Sequence, residues 1–78
     1  MSRYITDAFK YAIGKSHLSY EKFAERVGLN SKQNLSYWLN HKEDDTWAYE
    51  DIKNFCKALG INHTLFLQDV DRKRGNNR

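Results

Sequence analysis

Apolar residues along this chain recur at helical spacing wherever they are dense. Ile5, Ala8, Phe9, Ala12 and Ile13 fall at i, i+3, i+4, i+7 and i+8, one stripe of a helix that Ser2 can cap and that ends near Gly14. A second segment opens on Ser19, whose side-chain oxygen can accept an orphan backbone N–H. Leu18 and Phe23 have the spacing of a hydrophobic staple around that cap. Phe23, Ala24 and Val27 make its buried face, and Gly28 stands where the chain must turn left-handed. A third segment is capped by Asn30 or Ser31, runs to about Asn40, and carries the stripe Leu35, Trp38, Leu39.

After a polar, acidic loop from His41 to Thr46, a fourth stripe follows: Ala48, Ile52, Phe55, Cys56 and Leu59, stopped by Gly60. A fifth, short helix begins at Asn62, with Ile61 and Phe66 at staple spacing around the Asn cap. No stretch alternates with period two, so no strand is predicted. The pattern predicts an all-α, compact five-helix domain over residues 1–71. Residues 72–78 are predicted to form a basic, disordered tail.

Size and composition narrow the function. A chain of 78 residues makes one domain and buries only about 60% of its unfolded surface. That leaves little room for a pocket and argues against a small-molecule substrate. The single cysteine excludes an intrachain disulfide. Apolar runs reach three residues, as at Leu65 to Leu67, where a membrane span needs about 20. No membrane association is expected, and a reducing, cytoplasmic setting is. The net charge of +3 is unevenly spread: 72–78 hold four basic and no acidic residues, and the rest carries nine basic against ten acidic.

Candidate chemistry is sparse. His17, His41, Cys56 and His63 lie in separate segments without the paired spacing of zinc sites, so no metal is expected. Cys56 reads as a small core residue. Glu43, Asp44 and Asp45 lack the alternating ligands and glycine of a calcium loop. There is no phosphate-binding glycine loop, nucleophile elbow or acid–base pair, so neither a cofactor nor an enzymatic activity is expected. Of Trp47 and Tyr49, one is expected in the core.

The informative stretch is Leu18 to Asn40, two short helices around a tight glycine-containing turn. With Leu35 and Trp38 facing inward, Lys32, Gln33, Ser36 and Tyr37 form the outer face of the second, with Ser31 and Asn34 at its border. Gln and Asn can read adenine bidentately, and Lys can donate to guanine or phosphate. Polar residues on one helix face are more often simply solvated. Here a capped short helix, a glycine turn and an anchored polar helix in sequence favour a reading helix.

Residues Leu18 to Leu67 resemble the lambda-repressor-like family of helix-turn-helix domains, which includes phage repressors and Cro proteins. The matching pieces are LSYEKFAERVGL, LSYWLN and EDIKNFCKALGI. The resemblance implies double-stranded DNA as partner, with the helix over 31–40 in the major groove. It places base reading at Lys32, Gln33, Ser36 and Tyr37. Ser31 and Asn40 would hold phosphates, and Tyr20 stands where the family often has a phosphate-binding Gln. Lys10, Ser19, Asn34, His41 and Lys42 complete the backbone set.

The chain departs from the family in three places. It has one more residue between Gly28 and Leu35, His41 in place of a common glycine, and Glu43, Asp44 and Asp45 where many relatives are basic. The acidic loop is therefore expected to point away from DNA. The function implied is a phage- or plasmid-type repressor or Cro-like regulator, acting as a homodimer on a pseudo-palindromic operator. Leu65 or Leu67, with Val70, is the expected dimer surface, Phe66 facing the core. The rival reading is a protein-interaction module, an antitoxin or adaptor that reuses the fold.

Overall fold

The computed structural model describes residues 2–75. It contains α1 (Tyr4–Lys15), α2 (Tyr20–Val27), α3 (Lys32–His41), a 3-10 turn (Asp44–Thr46), α4 (Tyr49–Leu59) and α5 (His63–Gly75). There is no strand among the described residues. The all-helical class and the five helices agree with the sequence pattern.

Local chemistry explains most of the boundaries. Ser19 Oγ accepts from the Lys22 amide at 3.1 Å and starts α2. Gly28 ends it at φ 82°, while the Leu29 N–H reaches back to the Ala24 carbonyl at 2.9 Å. The same closure recurs at Gly60, at φ 72°, with Ile61 bonded back to Cys56 at 2.9 Å. Between the two cap candidates for α3, Ser31 serves, its Oγ accepting from Asn34 N at 3.3 Å. Asn62 Oδ1 accepts from Leu65 N at 3.1 Å and opens α5.

Three expectations need correction. Ser2 does not cap α1. A carboxylate distant in sequence takes that place: Asp44 Oδ1 accepts from Ile5 N at 2.9 Å, and Ser2 Oγ donates to Asp44 Oδ2 at 3.0 Å. Ala48 lies at the exposed start of α4 and not on its buried stripe. The boundary expected after residue 71 is absent, because α5 continues to Gly75. Arg72 pairs with Asp69 at 3.2 Å and Arg74 with Asp71 at 3.1 Å, both one turn back. Cations in a last helical turn also suit the helix dipole. Residues 76–78 of the expected tail lie outside the described residues.

The core is built around rings. Phe9, fully buried, stacks on Phe66 at 4.3 Å and meets Trp47 and Phe55 at 5.1 and 5.0 Å. Phe55 further touches Phe23, Trp38 and Trp47. All five helices therefore share one aromatic cluster, together with the segment before α4. Trp47 is the core residue of the ambiguous pair, its Nε1 donating to the buried Thr6 hydroxyl at 2.9 Å. Tyr49 is 54% exposed and its hydroxyl bonds His63 Nε2 at 2.8 Å. Cys56 is buried, and that burial pushes its thiol up to about 11. At neutral pH it is a protonated core residue with negligible nucleophilic character.

Candidate nucleic-acid interface

The placement of α3 starts from its two sides. Leu35 and Leu39 are buried, Trp38 is half-buried, and Trp38 lies parallel to Phe55 at 5.7 Å. These side chains fix the helix against the core, with α1 and α2 both packed against it. The opposite side is uncovered: Lys32, Gln33, Asn34 and Tyr37 are exposed, and Ser36 is half-buried at its edge. The four residues expected to read bases thus share one outward face of a rigidly seated helix.

The expected backbone-contacting residues fall into two groups. Ser19 and Ser31 each use a lone pair to cap their own helix. A hydroxyl that accepts in a cap still has its own hydrogen to donate, so both remain available to an anion. Tyr20 is half-buried against the core, which limits its reach.

The other group lies at the far end of α3. Asn40 Nδ2 donates to the Ser36 carbonyl at 2.8 Å, which holds the amide plane, and Lys10 Nζ donates to Asn40 Oδ1 at 3.4 Å. The His41 ring lies 4.7 Å from that of Tyr37. Lys42 does not extend freely. Its ammonium rests 4.4 Å from the centre of the Trp38 ring and 5.6 Å from that of Trp47, while its carbonyl accepts from Thr6 Oγ1. A cation held over two indoles is attracted by their ring faces, and meeting a phosphate would loosen that contact.

One cation at this end has no signal in the local pattern. Arg3, just before α1, donates from Nη1 to the Asn40 carbonyl, 37 positions along the chain. Periodicity and capping rules are local, and only the packing of α1 on α3 brings the two together.

Of the acidic loop, only Asp44 is committed elsewhere, and the expectation that the whole loop points away from α3 does not hold, because Glu43 lies beside Tyr37 and Lys42. Asp44, besides accepting from Ile5 and Ser2, receives Arg74 Nη2 at 2.7 Å. Burial raises its carboxyl, but the Ile5 amide, the Arg74 guanidinium and the Ser2 hydroxyl outweigh that and hold it below its ordinary value. Glu43 and Asp45 line a shallow cleft with Asp44, Ser2 and Arg74, at the end of α5. Glu43 also borders a second cleft with Tyr37, Trp38 and Lys42.

The dimer surface expected at the chain end needs revision. Val70 is 1% exposed and Leu67 packs partly against the core, so neither is free to meet a partner. Leu65 is 61% exposed and lies with Tyr11, 67% exposed, along a groove between α1 and α5.

Among the described residues no three His, Cys, Asp or Glu side chains gather as a metal site would need. Nor is any described helix long and apolar enough to cross a membrane. No family model, curated protein or solved structure matches this chain.

Proposed function

We propose that this protein is a sequence-specific double-stranded DNA-binding regulator that lays α3 in the major groove, a helix-turn-helix of phage or plasmid repressor and Cro-like type. The observation that carries this reading is the outer face of α3. Lys32, Gln33, Ser36 and Tyr37 project from a short, capped helix whose other side is locked by Leu35 and Leu39. Donors and acceptors on a rigid helix of this size are what base edges in a major groove require. The N–H groups and dipole at the start of α3 favour a phosphate there.

Selection of bound sequences from a random duplex pool tests the proposal. One enriched motif is the expected result, and a pool that stays random after repeated rounds would reject it. Within that motif, Gln33→Ala should cost about 1–3 kcal/mol and relax a single base position. An equal loss on selected and random duplexes would remove Gln33 from the reading face.

One helix reads only a few base pairs, so a two-fold dimer on half-sites about 34 Å apart completes the proposal. Leu65 and Tyr11, exposed along one groove between α1 and α5, are available to a partner. Sedimentation on the selected duplex should give two chains per site, and a one-to-one complex at saturation would exclude the dimer.

The rival reading, a protein-interaction module of antitoxin or adaptor type, draws support from one feature. Glu21 and Glu25 of α2 share a cleft with Lys32 and Gln33, and their charge opposes phosphate. Failure of the protein to retard any duplex in a gel at low salt would favour that reading.

A further inference from the structure

We infer that Arg3, just before α1, and Lys10 of α1 form, with Asn40 at the end of α3, a binding site for a DNA backbone phosphodiester, with Arg3 as its principal cation. The inference rests on the DNA-binding reading above and adds a residue outside the helix-turn-helix segment.

Two cations converge on one neutral residue. Arg3 bonds the Asn40 carbonyl and Lys10 bonds the Asn40 side-chain oxygen at 3.4 Å. Both side chains belong to exposed residues, and neither has a carboxylate partner among the described residues. Like charges brought to one point without an anion repel each other, and an arriving anion relieves that repulsion.

The carbonyls at the end of α3 account for part of the attraction, since a helix C-terminus favours cations. That contact engages one guanidinium N–H of five and one ammonium N–H of three, leaving donors free on both. A guanidinium with open donors suits the two unbridged oxygens of a phosphodiester.

The charges around the cluster are uneven but net positive. Asp7, one turn beyond Arg3 and exposed, and Glu43, beside Lys42, oppose an anion. Against these two stand Arg3, Lys10 and, from the segment after α3, Lys42. Asp44 of the loop is committed to Ile5, Ser2 and Arg74.

The arrangement also has a fixed geometry. Asp44 ties the first turn of α1 through Ile5, and the Thr6 hydroxyl ties the same turn to the Lys42 carbonyl. Lys10 therefore rides on, and Arg3 adjoins, a helix whose position relative to Asn40 is set by several hydrogen bonds. A phosphate bound there would lie beside the end of α3 while its outer face meets the bases.

The test is the salt dependence of binding to a mixed-sequence duplex, followed by fluorescence anisotropy with the full chain. Each phosphate neutralised contributes about 0.9 to the slope of log affinity against log salt. Arg3→Gln keeps a donor for the Asn40 carbonyl but removes the charge. It should lower that slope by about 0.9 and weaken binding several-fold at low salt, with the melting temperature nearly unchanged. Arg3→Lys should restore the slope. The preferred sequence from the random pool should be the same for all three proteins.

An unchanged slope in Arg3→Gln, in a protein whose wild type binds the duplex, would overturn this inference and leave the DNA-binding reading intact. A wild type that binds no duplex would instead overturn both. A fall in melting temperature with an unchanged slope would assign Arg3 to holding α3 alone, which also rejects the site.

Discussion

Phe55→Ala should lower the melting temperature by tens of degrees, at about 4–8 °C for each kcal/mol lost in a domain of this size. Phe55 is 2% exposed and its ring meets those of Phe9, Phe23, Trp38 and Trp47, so it touches partners from α1, α2, α3 and the segment before α4. Removing a buried phenylalanine costs about 3–5 kcal/mol, through lost transfer energy and the cavity left behind. A domain of this length has only roughly 4–12 kcal/mol in total at the usual stability per residue. Helices of eight to thirteen residues are too short to persist alone in water, so loss of the shared ring cluster removes what holds them. Thermal denaturation followed by circular dichroism provides the measurement. A melting temperature within a few degrees of wild type would show that the cluster is not the organising core. Leu65→Ala is the control, since a side chain on a residue 61% exposed has little burial to lose.

Asp44→Ala should destabilise the protein by about 2–3 kcal/mol at neutral pH. It removes a helix cap, typically about 1 kcal/mol, and leaves Arg74 without its loop partner. Hydrogen bonds to a charged group contribute about 1.5–3 kcal/mol each, reduced here because the Arg74 side chain is 39% exposed and screened by solvent. The Asp44 carboxyl is held below its ordinary value in the fold. Its contribution is therefore fully present above about pH 4, the unfolded value, and fades as the pH falls through the lower folded value. Denaturant titrations of wild type and Asp44→Asn should differ by a constant amount from pH 7 to about pH 5 and converge in stronger acid. A gap that persists in strong acid would mean the carboxylate charge is not what stabilises the loop. A chain ending at Asp71 should also melt below one ending at Gly75, because only the longer chain retains Arg74.

That last expectation reverses what the tail composition alone implies. Four basic residues in seven, with glycine and asparagines, have no apolar side chain to dock. The sequence contains Asp69 and Asp71 at the right spacing for ion pairs along a helix, but the decisive partner of Arg74 is Asp44, thirty positions away. Composition reflects what a segment lacks for a core and carries no trace of a carboxylate presented by another loop.

The helices themselves were legible because their signals are local. Ser19, Ser31 and Asn62 cap within three residues, and Gly28 and Gly60 take positive φ where an αL residue closes the preceding helix. Each bond depends on residues within about one turn, so the amino-acid order alone determines it. The inward faces follow from the same 3.6-residue period, as Phe9, Phe23, Leu35 and Phe55 show. The outward face of α3 follows by complement, which is why Lys32, Gln33 and Tyr37 are exposed as expected.

What periodicity does not contain is the angle at which helices cross and which ends meet. Only the tertiary structure decided that Trp47 enters the core while Tyr49 stays out, because the buried Thr6 hydroxyl offers a partner to the indole N–H. It likewise turned Val70 inward and left Leu65 outside, and it brought Arg3 and Lys10 to Asn40. The amino-acid sequence by itself determined the helices, their caps and the polar face of α3, since those are settled by neighbours along the chain. The capping of α1 by Asp44 and the gathering of cations beyond α3 came from packing alone, since hydrogen bonds and charges act across space without regard to sequence separation.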